Sequence, residues 1–202
     1  MDKISAEQRH KNMSAIRGNN TRPEIIVRKY LWSHGFRYRL NHKRLPGRPD
    51  VVLRKYRTCI FVNGCFWHGH NVICDEDALQ KQNESDRILC SSSCCKIPKS
   101  NRLFWVQKIL RNKERDIKVQ QQLAAMGWHS IVVWECELTT RQREDTLASL
   151  AYTLNHILLQ NYLYLFQILF LLSKLPISSL ILTKVLSIFF DLFYQNQKSY
   201  QY

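Results

Sequence analysis

The chain has 202 residues, and its 30 Lys and Arg against 16 Asp and Glu give a net charge of +14. A hydrophobic fraction of 45%, with only six glycines and five prolines, excludes a wholly disordered chain and a collagen-like or Pro-rich repeat. A charge of this size indicates a polyanionic partner, either nucleic acid or an anionic membrane surface.

The positive charge is concentrated in the first quarter of the chain. Residues 1–57 carry a net charge of +11, whereas residues 58–100 carry −1. We therefore expect the contacts to phosphates to come from the first quarter, although a solvated basic surface would show the same pattern. The N-terminal stretch is polar and does not resemble a secretory signal, so we expect a cytoplasmic protein with reduced thiols. Its seven cysteines then suggest metal ligation before disulfides.

Periodicity and turn residues predict eight elements in the order α-α-β-β-β-α-β-α. Thr21 is a candidate N-cap for the second helix, with Glu24 at the capping-box position. This order predicts an α/β fold with a mixed central sheet flanked by helices. The predicted elements are helices over 5–16 and from 21 to Gly35, strands over 36–45, 50–54 and 58–63, a long loop over 71–100, a helix over 102–126, a strand over 130–135 and a helix over 140–159.

The end of the chain differs in composition from the rest. In residues 157–194, Leu, Ile, Phe and Tyr fill 25 of 38 positions. A membrane span is one interpretation, but residues such as Lys174 and Pro176 interrupt every run of about 20 apolar residues. A partner-binding appendage and translation past the true end of the reading frame are the others. We predict a domain over 1–156, with a loop insertion at 71–95, and an apolar tail over 157–202.

The segment from Pro46 to Val52 is a candidate metal-binding turn. Two prolines and a glycine precede Asp50, which stands at the start of a β-branched strand. A strand start is a rigid place for a ligand, and a carboxylate is a suitable hard donor for Mg²⁺. The simpler alternative is an aspartate that caps a turn.

Residues 64–70 (GCFWHGH) place a thiol, two aromatic rings and two imidazoles directly after an apolar strand. Cys65 and His70 are donors suited to Zn²⁺. An exposed Phe66–Trp67 pair would need a cover, and stacked nucleobases are one such cover. The alternative is that both rings belong to the core. Cys136, after the strand at 130–135, is a candidate remote zinc ligand, although a lone buried cysteine is usually a small hydrophobic residue.

Six short motifs occur in order along the chain: residues 11–17 (KNMSAIR), 45–50 (LPGRPD), 64–68 (GCFWH), 112–116 (NKERD), 127–128 (GW) and 134–136 (WEC). Together they resemble the very short patch repair (Vsr) DNA mismatch endonucleases. The GCFWH motif is highly specific, and the resemblance covers about residues 8–140 without the apolar tail.

The resemblance implies a restriction-endonuclease-like α/β fold and a nicking activity on double-stranded DNA. Such enzymes cut 5′ to the thymine of T·G mismatches, which arise when 5-methylcytosine deaminates. It implies no small-molecule substrate, and other mismatch-repair proteins as further partners. By motif, Asp50 would bind catalytic Mg²⁺ with the backbone carbonyl of Val62, His68 would act as general base, and Glu24 would lie in the active site.

The resemblance also implies a DNA wedge and a structural zinc site. Met13, Phe66 and Trp67 would insert into the base stack beside the mismatch. Zinc would be bound by Cys65, His70 and Cys136, and the fourth ligand would be Cys94 or Cys95, with Cys74 a weaker candidate.

Two positions depart from the family pattern. Position 72 is a valine where the family often has its next zinc cysteine, and Asn63 stands where some members carry a histidine. The runner-up function is a zinc-containing mismatch-binding protein that does not cut, and a membrane-anchored protein is a third alternative that rests on the tail alone.

Overall fold

The computed structural model describes residues 5–14, 18–74, 90–91, 93–98 and 101–173. Five α-helices, six strands and a single 3₁₀ turn are formed by these residues. In chain order they are α1 (Ala6–Ser14), α2 (Arg22–Ser33), β1 (Arg39–Leu40), β2 (Val51–Leu53), β3 (Thr58–Asn63), α3 (Cys65–His68), β4 (Ile73–Cys74), β5 (Cys90–Ser91), α4 (Arg102–Ala125), β6 (His129–Trp134), the 3₁₀ turn (Glu135–Leu138) and α5 (Arg143–Ser173).

The central sheet has the strand order β1-β2-β3-β6 and is mixed. β1, β2 and β3 pair antiparallel, whereas β3 and β6 are parallel over their full length, from Thr58 beside His129 to Asn63 beside Trp134. A parallel pair needs a long crossover connection, and α4 provides it. Both strands therefore end at the same edge of the sheet, which brings the chain after Asn63 close to the chain after Trp134.

Helices cover both faces of the sheet. Consecutive residues of a strand point to opposite faces, so neighbouring residues pack in different clusters. Val51 packs in the larger apolar cluster, with residues of α2 and α5. Its neighbour Val52 packs in a second cluster with Leu123 of α4. This two-layer burial confirms the prediction of a mixed sheet flanked by helices.

The predicted N-cap and capping box at the start of α2 are confirmed. Thr21 is the N-cap, and it forms the reciprocal capping box with Glu24. The predicted strand over 36–45 is wrong in length, since only Arg39–Leu40 pairs with β2. The physical reason is the Pro46–Pro49 turn: it delays the start of β2 to Val51, so little of that strand lies opposite the predicted one.

The long loop predicted over 71–100 contains regular structure at its ends. β4 and β5 pair antiparallel, with Ile73 beside Ser91 and Cys74 beside Cys90. Strands of two residues are too short to give a period-two signal, which explains why the sequence pattern missed them.

The last helix continues beyond its predicted end at residue 159 and reaches Ser173. Leu147, Leu150, Leu154 and Leu158, three or four residues apart, are buried against the core. The domain boundary after residue 156 remains a prediction, and α5 runs through it. None of the helices in the described part of the chain combines the length and the hydropathy that a bilayer span requires.

Candidate active site and metal centre

Asp50 lies at the start of β2 and is hydrogen-bonded to β3. It directly precedes β2, and the Val62 backbone N–H donates a hydrogen bond of 2.8 Å to its Oδ2 atom. The carboxylate is therefore oriented by the sheet itself rather than by a mobile loop, as a rigid ligand requires.

The surroundings of Asp50 favour a bound cation. Burial raises the pKa of this carboxyl above its ordinary value of 3.8, and the nearby charge of Glu24 raises it further. The Val62 N–H and the positive groups of Arg28 and His68 lower the pKa, but they do not offset burial. A desolvated carboxylate next to a second one is stabilised by a positive ion.

Glu24 is buried, and both of its oxygens already have partners. Oε1 accepts a hydrogen bond of 2.8 Å from the Thr21 hydroxyl, and Oε2 accepts one of 3.0 Å from the Asn20 backbone N–H. Arg28 forms an ion pair with Oε2 and donates to the Asn20 side-chain oxygen at 2.6 Å. Glu24 thus holds the first turn of α2 in place beside Asp50.

A groove of about 690 Å³ brings the predicted catalytic residues together. Its lining includes Lys43 and Arg48 from the basic N-terminal quarter of the chain. The predicted site residues that line it are Glu24, Asp50, Val62, Trp67 and His68, and Asn63 lines it with them.

His68 has a partner that the sequence analysis did not assign. Its Nδ1 atom lies 2.6 Å from Oδ2 of Asp116, which is on α4. Because a carboxylate accepts hydrogen bonds, Nδ1 carries the proton and Nε2 is left as an acceptor. Asp116 belongs to the 112–116 motif, so the motif marked the segment but not the role of this residue.

The same segment of α4 fixes the loop that carries His68. The Asn112 side chain donates to the Trp67 carbonyl at 2.8 Å, and Lys113 Nζ donates to the Val72 carbonyl at 3.4 Å. Residues 112 and 113 are four and three positions before residue 116, so both neighbour Asp116 on the helix surface. One face of α4 therefore anchors the whole 67–72 segment.

Gly69 allows the two imidazoles to serve two different sites. It has a φ of +63°, and an added Cβ would lie 2.5 Å from the Ile109 side chain, so a side chain would be strained and crowded there. The reversal at this residue sends His68 towards Asp116 and His70 towards the cysteines.

An aromatic surface borders the groove. The rings of Phe66 and Trp67 are 5.0 Å apart, and Trp105 of α4 lies 5.3 Å from Phe66 and 6.1 Å from Trp67. Phe104 extends the surface and is 51% exposed. Phe66 also packs against a small core cluster, so its side chain is only partly exposed at this surface. Met13 lies in α1, and its side chain is outside the described residues.

Four donor atoms of Cys65, His70, Cys94 and Cys136 all lie within 4.8 Å of one another. The His70 Nδ1 atom is 3.7 Å from the Cys65 sulfur and 3.3 Å from each of the other two sulfurs. His70 is held by stacking on Trp134, with ring centroids 4.1 Å apart. The cluster joins the α3 segment, the loop before α4 and the 3₁₀ turn after β6.

The cluster fits a tetrahedral zinc ion. Bond lengths of about 2.3 Å to sulfur and about 2.0 Å to nitrogen place neighbouring ligand atoms roughly 3.5 to 3.8 Å apart. Burial raises the pKa of Cys65 to about 12 and that of Cys136 above its ordinary value. Cys94 contributes the fourth donor atom of the cluster, whereas Cys95 packs against an apolar cluster. The Cys74 side chain lies outside the described residues.

A groove that holds two carboxylates, two basic side chains and an imidazole with its own carboxylate partner is typical of a nuclease-type site. Comparison with known proteins agrees with that class. The family model for the DNA mismatch endonuclease Vsr matches residues 1–74.

Two relatives match a larger share of the chain than the family model does. The chain is 44% identical over 142 residues to the type II nicking enzyme V.NmeAIP of Neisseria meningitidis, covering 69% of this chain and 86% of that one. It is 35% identical over 135 residues to the DNA mismatch endonuclease Vsr of Escherichia coli, covering 67% and 74%. The chain belongs to the Vsr family of DNA mismatch endonucleases.

Proposed function

We propose that this protein is a strand-specific DNA endonuclease that nicks 5′ to the thymine of T·G mismatches produced by 5-methylcytosine deamination, and so starts very short patch repair. The observation that carries the proposal is the groove that Asp50 shares with His68, whose imidazole is paired with Asp116, bordered by the Phe66–Trp67 surface. Membership of the Vsr family supports the same activity.

The residues around Asp50 fit a catalytic Mg²⁺ ion. Asp50 and the backbone carbonyl of Val62 would hold it, since both offer the hard oxygen donors that Mg²⁺ prefers. When bound, the ion supplies charge neutralisation at the phosphate and at the leaving oxygen. Glu24, whose oxygens are occupied by Thr21, Asn20 and Arg28, keeps a second negative charge beside the site.

His68 performs the proton transfer. Its Nε2 atom accepts a proton from the water whose oxygen forms the new bond to phosphorus, while the bond from phosphorus to the leaving sugar oxygen breaks. Asp116 keeps the proton on Nδ1 and stabilises the imidazolium that forms. A carboxylate fixed on a helix does this without reorganisation.

The aromatic surface supports recognition of the mismatch. Phe66 and Trp67, with Met13 from α1, would insert between base pairs, and Trp105 would enlarge the stacking area. A T·G wobble pair stacks less well than a matched pair, so inserting a ring there costs less unstacking energy. The basic first quarter of the chain would hold the backbone without reading sequence.

The Cys65, His70, Cys94 and Cys136 cluster would hold a structural Zn²⁺. With four protein ligands, the site is closed and leaves no position for a substrate. Its role is to join the α3 segment to the 3₁₀ turn at the edge of the sheet, where the restriction-endonuclease-like fold would place its active site. We expect a cytoplasmic protein that acts on double-stranded DNA, with other mismatch-repair proteins as further partners.

The decisive experiment uses end-labelled duplexes with a T·G, an A·C or a matched pair, incubated with the protein and Mg²⁺. We expect one nick, in the strand that carries the mismatched thymine, and no product when the metal is chelated. Tight binding of the T·G duplex without any nick would instead favour a mismatch-binding protein that does not cut. Cutting of all three duplexes alike would contradict mismatch specificity.

A further inference from the structure

A second groove lies on the other side of the first turn of α2. It has a volume of about 360 Å³ and is formed between this turn and the segment that joins the 3₁₀ turn to α5. Thr21 and Glu24 line the groove of Asp50 and His68, hereafter the catalytic groove, whereas Arg22 and Ile26 line the second groove. One helical turn therefore separates the two grooves.

The lining of the second groove is positively charged. Arg22 projects from α2 and Arg143 from the start of α5, with the threonines at positions 139 and 140 between them. Glu135 is the single acidic residue among the lining residues, and it is exposed. The lining thus carries two positive charges against one negative charge.

Neither arginine is neutralised within the part of the chain that the structure describes. No ion pair is formed there by Arg22 or Arg143, in contrast to the buried Arg28–Glu24 pair. The Nε atom of Arg143 is buried and has no hydrogen-bond partner among the described residues. Arg143 as a whole is half-buried and lines the groove, so its guanidinium faces the groove without a carboxylate partner among the described residues.

We propose that this groove binds a phosphate of the DNA backbone away from the nicked bond. The inference rests on the proposed function, because it assumes a duplex in the catalytic groove. The two grooves flank the first turn of α2, so a duplex seated in the catalytic groove brings phosphates a few base pairs from the nick towards the second groove.

A guanidinium pair suits this ligand. Arginine presents several N–H donors in a fixed plane, which match the oxygens of a phosphate. The threonine hydroxyls at 139 and 140 add neutral donors at the rim. Such a contact carries no sequence information, but it fixes the position of the duplex along the catalytic groove.

The first test is the salt dependence of DNA binding. We would measure the affinity for an uncleaved T·G duplex from 50 to 200 mM salt, without Mg²⁺, for the wild type, Arg22→Ala and Arg143→Ala. Loss of one phosphate contact should reduce the slope of log affinity against log salt by about 0.9. Arg141→Ala is the matched control, because Arg141 is exposed in the same segment but does not line the groove.

A second measurement locates the contact. Single methylphosphonate linkages, which remove one backbone charge, would be placed at each position from two to four base pairs either side of the nick. At one position the neutral linkage should weaken binding by the wild type and by Arg141→Ala, but have a smaller effect on Arg143→Ala and on Arg22→Ala, which have already lost part of that contact. Arg143→Lys, which keeps the charge, should retain most of the salt slope, and melting temperatures would show that each variant is folded.

The two proposals fail in different ways. Equal slopes for Arg141→Ala and both groove variants, together with additive effects at every linkage, would overturn the groove while leaving mismatch nicking intact. Absence of nicking by the wild type, with the slope changes present, would overturn the proposed function alone.

Discussion

The Nδ1 atom of His68 lies 2.6 Å from Oδ2 of Asp116, although 48 residues separate them in the chain. His68 is at the end of α3, and Asp116 is on the face of α4 that also anchors Trp67 and Val72. The pairing assigns one tautomer to the imidazole and leaves Nε2 as the acceptor that general-base catalysis needs.

Asp116→Asn should therefore slow nicking strongly while leaving binding of the T·G duplex unchanged. The amide can reverse the tautomer, which places the proton on Nε2, and the imidazolium loses its counter-charge. We expect single-turnover rates to fall by about 10²–10⁴, the range of general acid–base catalysis, and a similar loss for His68→Ala. Glu114→Gln, an exposed carboxylate on the same helix, is the control and should keep the wild-type rate. A normal rate for Asp116→Asn would mean that the pair is only structural.

Asp50→Ala should abolish nicking and leave mismatch binding largely intact. It removes the carboxylate proposed to bind Mg²⁺ but leaves the aromatic surface and the basic side chains of the groove, Lys43 and Arg48, unchanged. Gel-shift affinity and single-turnover cleavage, measured on the same T·G duplex, separate the two effects. Near-normal cutting would remove Asp50 from the mechanism.

Asp50→Asn should stabilise the metal-free protein at neutral pH. The folded-state pKa of Asp50 is raised by burial, so the folded protein retains this proton to higher pH than the unfolded chain does. The free energy of unfolding therefore falls as pH rises from the ordinary value of 3.8 through the raised folded pKa, and Asn avoids this loss. The gain in melting temperature should be larger at pH 7 than at pH 4. Glu114→Gln should show no such pH-dependent difference, and an equal gain at both pH values would contradict the assignment.

Trp67→Ala should weaken binding of the T·G duplex by about 1–3 kcal/mol, the scale of one base–aromatic stack. Binding of a matched duplex should weaken less, because the ring inserts best beside a poorly stacked pair. Trp32→Ala is a suitable comparison, since Trp32 is 57% exposed on α2 and does not line the groove. Equal losses on both duplexes would show that Trp67 is a packing residue.

The proposed zinc site predicts one Zn²⁺ per chain in the purified protein. Cys94→Ser and Cys136→Ser should each lose zinc and melt at a lower temperature, because a closed site contributes folding free energy directly. Cys95→Ser is the matched control and should keep its zinc, since Cys95 packs against apolar side chains. A fully folded wild type without zinc would end the metal proposal.

The sequence by itself determined the features that depend on neighbours along the chain. The Thr21–Glu24 capping box, the strands of the sheet core and the long α4 helix all follow from local spacing and turn residues. The aromatic and metal-binding residue types of the 64–70 segment were also visible, since they lie within seven positions. The full length of α5 was not predicted, because the change to an apolar composition after residue 157 indicated a separate tail, although no glycine or proline stops the helix before Ser173.

Only the tertiary structure decided which distant groups meet. The parallel pairing of β3 with β6 brings Cys136 beside His70, and the packing of α4 against α3 brings Asp116 to His68. Cys94 and Cys95 are neighbours that no spacing rule separates, and the fold directs one to the cluster and the other to the core. The physical reason is the distance along the chain over which each effect acts. Helix propensity and capping act over about four residues. The geometry of metal ligands and of proton transfer depends on how packed elements place side chains that are tens of residues apart in the chain.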